Sequence, residues 1–293
     1  MIKAPPFNRN KKIGIVALAG PMDSAQVLAG EVYLRSLGYD VLIAPSCFDQ
    51  NRYLAGHSDA ARALDLKILF ADDEVGAILN MRGGYGSNRI IPHLADFDFT
   101  RYPKPFIGYS DITYMHIYLN QCFGLVTYHG PMITDLVKND FLTTGSFIKT
   151  ALNAVPLTLN SVNFLSSKQG VATGITIGGN LSIICSTLGT AVEIDAQDKI
   201  IFIEEINEEP YAVDRLLMQL VHAGKIAACA GIILGNFGGV NQTEVTQTIK
   251  DILLPFNKII ASEIPAGHTM PNITIPLGIY CELDATKMEI RFL

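Results

Sequence analysis

The chain of 293 residues contains no tryptophan, and only 17% of it is charged. Its net charge is −6 and no lysine/arginine run interrupts it, which argues against nucleic acid and anionic membrane as partners. No apolar run approaches the roughly 18 residues that a membrane span requires. The start, Met1-Ile2-Lys3-Ala4-Pro5-Pro6, lacks the apolar core of a secretory signal. The five cysteines (Cys47, Cys122, Cys185, Cys229 and Cys281) are odd in number and form no C-x-x-C. They read as buried free thiols of a reducing, cytoplasmic compartment. There is no H-E-x-x-H and no Cys/His cluster, so no metal and no cofactor is expected. Neither G-x-G-x-x-G nor G-K-[ST] occurs, which weakens any nucleotide-cradle reading.

What is present is apolar residue, at 49%, enough for a sizeable core. Residues 13–19 (IGIVALA) run apolar without alternation and stop at Gly20-Pro21, as a strand buried on both faces would. Helical spacing over 23–37 ends at Gly38. Strands are predicted at 41–44, 75–80, 106–109 and 125–128, and a helix at 58–70 with Ser58 or Asp59 as its cap. This alternation predicts a doubly wound, flavodoxin-like parallel sheet over residues 1–155. Residues 156–170 are rich in Ser, Asn, Leu and Lys without periodicity and read as a linker. Residues 171–293 read as a β-rich, mixed domain. Its strands fall at 200–204, 230–235 and 258–262, its helices at 211–223 and 243–254, with short β pieces to the end. Ligands of doubly wound sheets bind at the carboxyl ends of strands. Both Gly83-Gly84-Tyr85-Gly86 and Ser110 fall at such ends.

The apolar strand Lys104-Pro105-Phe106-Ile107-Gly108-Tyr109 runs directly into Ser110-Asp111, where an amphipathic segment begins. A serine on a sharp strand-to-helix turn projects its hydroxyl beside the amides that open the next helix, where an oxyanion could be held. Alone, a serine after a strand is most often a helix cap, here of the helix starting at Asp111. Ile112 breaks the G-x-S-x-G pattern. A serine nucleophile needs a base. His268, in Pro265-Ala266-Gly267-His268, is the first candidate, and His129, in Tyr128-His129-Gly130-Pro131, is its rival. Glu204 ends the strand at 200–204 and can orient an imidazole. Glu205 follows it, and by strand alternation only one of the two can face a site. The loop Arg82-Gly83-Gly84-Tyr85-Gly86 is either a phosphate cradle or an oxyanion loop, in which a Gly84 or Tyr85 amide joins that of Asp111. Tyr85 and Arg89 are candidate substrate contacts, with Arg82 an alternative to Arg89 for binding a carboxylate.

Six stretches together resemble the LD-carboxypeptidase family of serine peptidases, which includes the microcin C self-immunity peptidases. They are Arg82-Gly83-Gly84-Tyr85-Gly86-Ser87, Ile107-Gly108-Tyr109-Ser110-Asp111, Gly178-Gly179-Asn180-Leu181, Phe202-Ile203-Glu204-Glu205, Tyr211-Ala212-Val213-Asp214-Arg215 and Gly267-His268-Thr269-Met270-Pro271-Asn272. The resemblance implies Ser110 as nucleophile, Glu204 as orienting acid and His268 as base, meeting in a cleft between two domains. It departs in having Glu204-Glu205 where an acidic pair Glu-Asp is expected. It implies a homodimer, and a substrate in the murein tetrapeptide, whose terminal D-Ala would be removed. Microcin-type members imply a second reading, cleavage of an aminoacyl-nucleotide amide with the base stacked on tryptophan, which this chain lacks. A non-catalytic phosphate- or nucleotide-binding α/β protein is the third.

Overall fold

The computed structural model describes residues 1–166, 168–239 and 241–293. The apolar runs become strands of a parallel sheet. These are β1 (Lys12–Val16), β2 (Asp40–Ile43), β5 (Val75–Asn80), β6 (Phe106–Gly108) and β7 (Thr127–His129), with β3 (Gln50–Asn51) and β4 (Leu54–Ala55) forming a separate hairpin. The spatial order β2-β1-β5-β6-β7 is the flavodoxin-like order, as the alternation predicted. Ile13, Ile15 and Val16 of β1 are fully buried, each such side chain contributing roughly 1.5–3 kcal/mol. Helices α1 (Ser24–Ser36), α2 (Asp59–Ala71) and α3 (Thr113–Phe123) connect the strands. Asp23 caps α1 by accepting the Ala25 N–H at 2.8 Å, and Ser58 caps α2 by accepting the Ala61 N–H at 3.1 Å. Two short helices, α4 (Ile133–Leu136) and α5 (Phe141–Ser146), follow β7.

The second sheet has eight strands: β8 (Thr158–Asn160), β9 (Asn163–Phe164), β10 (Val171–Asn180), β11 (Ile200–Ile206), β12 (Gly231–Gly238), β13 (Ile259–Ser262), β15 (Tyr280–Asp284) and β16 (Glu289–Phe292). Their order is β8-β16-β15-β10-β11-β12-β13-β9. The pairs from β10 to β13 are parallel and the outer pairs antiparallel, so this half is mixed, as expected. Helices α6 (Leu181–Thr187), α7 (Pro210–His222), α8 (Lys225–Ala228) and α9 (Gln242–Leu253) accompany it. The segment read as a linker, 156–170, carries β8 and β9, which pair at opposite edges of this sheet.

The chain crosses back between the two sheets. After β13 it runs through residues 263–274 and enters β14 (Ile275–Leu277), which pairs antiparallel with β7 and closes the edge of the first sheet. His268 lies on this connection. The sheets also meet where the Asn180 N–H donates to Thr113 Oγ1 at 2.9 Å, at the start of α3.

Candidate active site

Ser110 leaves β6 with φ +62, a left-handed conformation that a serine adopts only at a cost of about 1–3 kcal/mol. The chain then turns through residues 110–112 into α3. The glycine loop after β5 packs against this turn. A Cβ on Gly83 would lie 2.8 Å from Ser110 Cβ and 2.9 Å from Oγ, so only glycine leaves the hydroxyl its place. The Gly83 carbonyl accepts the Gly20 N–H at 3.1 Å, joining the loops that follow β5 and β1. These two strands flank the point where strand order reverses, the usual ligand position in such sheets. The Asp111 carboxylate, buried, accepts the Ser87 N–H at 2.8 Å, and the Ser87 hydroxyl donates to the Asp111 carbonyl at 2.6 Å. The glycine loop is thereby tied to the serine turn.

The second half of the site comes from β11 and the crossing connection. His268 Nδ1 lies 2.8 Å from Glu204 Oε2, in the geometry of an N–H donating to a carboxylate. Glu204 is 0% exposed, whereas the His268 side chain keeps 18%. Gly267 holds φ +124, and a Cβ there would come within 2.6 Å of Glu204 Oε2. The Gly267 N–H donates to Asn272 Oδ1 at 2.9 Å, closing the His268 turn on itself. The imidazole packs edge-on against Tyr109, ring centroids 4.8 Å apart. It thus abuts the residue before Ser110, but among the described residues no hydrogen bond joins it to the serine hydroxyl. Catalytic hydrogen bonds are often long before substrate is bound.

Burial lowers the His268 pKa, but the hydrogen bond and charge of Glu204 outweigh it and leave the imidazole above its ordinary value. Burial raises the Glu204 carboxyl, opposed by His268. Burial likewise raises Asp111, against the bonds from Ser87. His129, the rival base, is fully buried between Tyr109 (5.7 Å) and Phe202 (4.7 Å), with neither ring nitrogen hydrogen-bonded among the described residues. Burial holds it well below the ordinary histidine range, and no carboxylate hydrogen-bonds it.

A model described as the LD-carboxypeptidase N-terminal domain matches residues 13–130, and one described as the LD-carboxypeptidase C-terminal domain matches residues 173–283. The chain belongs to the LD-carboxypeptidase family of serine peptidases. A "probable murein peptide carboxypeptidase" of Bacillus subtilis is 37% identical over 296 residues, covering 97% of this LD-carboxypeptidase and 92% of that protein. The muramoyltetrapeptide carboxypeptidase of Oxalobacter formigenes has a crystal structure that superposes with TM-score 0.83 at 25% identity, covering 96% and 98% of the two chains. MccF in complex with glutamyl sulfamoyl guanosine gives TM-score 0.88 at 23% identity, covering 99% and 97%, a likeness of fold.

In this LD-carboxypeptidase the two acidic neighbours diverge. They alternate to opposite sides of β11, at the point where its register against β12 slips, Ile203 pairing with Leu234 but Glu205 with Phe237, so that the extra residue lies in β12. Glu204 turns to His268. Glu205 Oε1 accepts Asn180 Nδ2 and the Ile206 N–H, each at 2.9 Å, and Oε2 accepts the Ser182 N–H at 2.9 Å and hydroxyl at 2.6 Å. Its acceptors are thus taken up at the start of α6. Tyr85 is 46% exposed beside the glycine loop, its ring 6.1 Å from that of Tyr53. Arg89 is engaged by Asp59, Nε at 3.0–3.1 Å and Nη2 at 2.8 Å, so its guanidinium is committed within the protein. Exposed Arg82 donates to the Pro21 carbonyl at 3.1 Å. Sequence reasoning used only the amide of Asp111 and gave no role to Ser87 or Asn272. The spacing of Ser87 after a glycine loop and of Asn272 after His268 were the available signals, and each is also common in ordinary turns.

Proposed function

We propose that this LD-carboxypeptidase removes the terminal D-alanine from murein tetrapeptide, in peptidoglycan recycling. The buried Glu204–His268 pair, 2.8 Å apart and packed beside the left-handed Ser110 turn, carries the reading. Ser110 Oγ attacks the carbonyl that precedes D-alanine. His268, its Nδ1–H held by Glu204, takes the serine proton on Nε2 and passes it to the leaving amine. The Gly84 and Asp111 amides donate to the oxyanion, each such donor being worth about 10²–10³ in rate. Water on the acyl-enzyme then restores the serine by the same proton path. Arg82, the less committed of the two arginines, is the better partner for the substrate's terminal carboxylate. Tyr85 lines the approach.

Cys122 is exposed rather than buried as expected, but buried free Cys47, Cys185, Cys229 and Cys281 favour a reducing, cytoplasmic setting. Homodimerisation rests on the family resemblance, and sedimentation equilibrium tests it. The fold likeness to MccF supports cleavage of an aminoacyl-nucleotide amide as a second reading, while the absence of tryptophan removes its expected stacking platform. Turnover of purified tetrapeptide is to be set beside that of an aminoacyl sulfamoyl adenylate. D-alanine release at the higher kcat/KM is expected. Hydrolysis of the adenylate alone reverses the assignment.

A further inference from the structure

A cavity of about 450 Å³ opens at the carboxyl ends of the parallel strands β12 and β13, against α9. It contains none of Ser110, Glu204 and His268, but Thr269, the residue after the base, is part of its wall. Thr269 also hydrogen-bonds Asn236, another wall residue, so the cavity and the His268 turn share a structural member. The carboxyl ends of parallel strands are the side of such sheets on which ligands bind, although strand order does not reverse between β12 and β13. Its lining carries a cation, Lys250, and a carboxylate, Glu263, with Asn236, Gln242 and Thr246 as neutral hydrogen-bonding groups. Among the described residues Lys250 pairs with no carboxylate. Among the described residues exposed Glu263 accepts only from Asn163 Nδ2, through Oε2, which leaves Oε1 for a further donor. The mechanism above uses none of these groups.

We propose that this cavity binds an α-amino-acid zwitterion, its carboxylate on Lys250 and its ammonium on Glu263. A lone anion would meet Glu263 and a lone cation would meet Lys250, so one unit charge of each sign fits the lining better than either alone. Two sources carry that group: free D-alanine released by the reaction, and the distal amino-acid end of a diaminopimelyl side chain. Only the second rests on the peptidase reading. A lysyl side chain in the same place ends in an ammonium alone and leaves Lys250 without a partner.

The test is equilibrium binding to full-length Ser110→Ala protein, using free D-alanine, a meso-diaminopimelyl tetrapeptide and a lysyl tetrapeptide. Lys250→Ala and Glu263→Gln are added singly, and thermal melts verify that both variants fold. Saturable D-alanine binding lost in both variants assigns the cavity to the free amino acid. Diaminopimelyl peptide binding about tenfold tighter than lysyl peptide, with the preference lost in both variants, assigns it to the substrate side chain. Affinities for all three probes that are unmoved by either substitution overturn the proposal. Failure of wild-type enzyme to release D-alanine from either peptide would sink the peptidase reading separately, leaving the D-alanine arm readable.

Discussion

The two strand ends that meet at the site are prepared differently. At the end of β6 the preparation is steric: Ser110 sits at φ +62, and Gly83 supplies the room that its hydroxyl needs. At the end of β11 it is electrostatic: a fully buried carboxylate holds an imidazole at 2.8 Å and raises its pKa. Strain fixes where an atom is, whereas a buried charge fixes which proton state is favoured. A hydroxyl nucleophile needs the first and a general base needs the second. The halves are joined by Tyr109 against His268 and by the chain crossing from β13 to β14.

The largest expected effect is at Ser110 itself, the side chain that the steric half positions. Ser110→Ala should lower kcat/KM for D-alanine release by roughly 10⁴–10⁶-fold with the melting temperature nearly unchanged. Activity retained within tenfold would remove the serine from the chemistry. On the electrostatic side, Glu204→Gln should cost on the order of 10⁴ in kcat. It should also move the pH profile. As the proposed base His268 acts in its neutral form, so kcat/KM should rise as pH climbs through its raised pKa. Without the carboxylate charge that pKa falls, and the acid limb shifts to lower pH. A limb that stays put or moves up contradicts the pairing. On the steric side, Gly83→Ala pushes a methyl into Ser110 Cβ and Oγ and should cost about 10² in kcat/KM, with the pH limb unmoved. The smallest effect on rate is expected at the neighbouring acid. Glu205→Gln should cost about 1–3 kcal/mol in denaturant unfolding, because bonds at the start of α6 are lost, while kcat/KM stays within about tenfold. Equal rate losses at Glu204 and Glu205 would erase the distinction between them.

The steric half was the more legible in the sequence. An apolar run broken by Ser110-Asp111 announces a strand-to-helix turn, and a glycine loop after the preceding strand announces a close approach. The first sheet was legible for the same reason: parallel strands buried on both faces write themselves as unbroken apolar runs. The electrostatic half was written less clearly. Alternation said that Glu204 and Glu205 diverge but not which way, because the face of β11 that meets the His268 connection and the face that meets the start of α6 are set by tertiary packing. The strands β8 and β9 escaped notice because three and two residues at sheet edges carry no period. Likewise β14, three residues long, gave no sign that it returns to the first sheet and carries the His268 connection with it. Pairings between distant short strands are decided by tertiary packing, not by local pattern.

The convergence of Ser110 and His268 is tested most directly by reaction with a fluorophosphonate, followed by peptide mass spectrometry of wild-type and His268→Ala protein. A single adduct on Ser110, formed at least about 10²-fold more slowly in the variant, is the predicted result. Labelling at another residue, or labelling of Ser110 at the same rate without the imidazole, would contradict it.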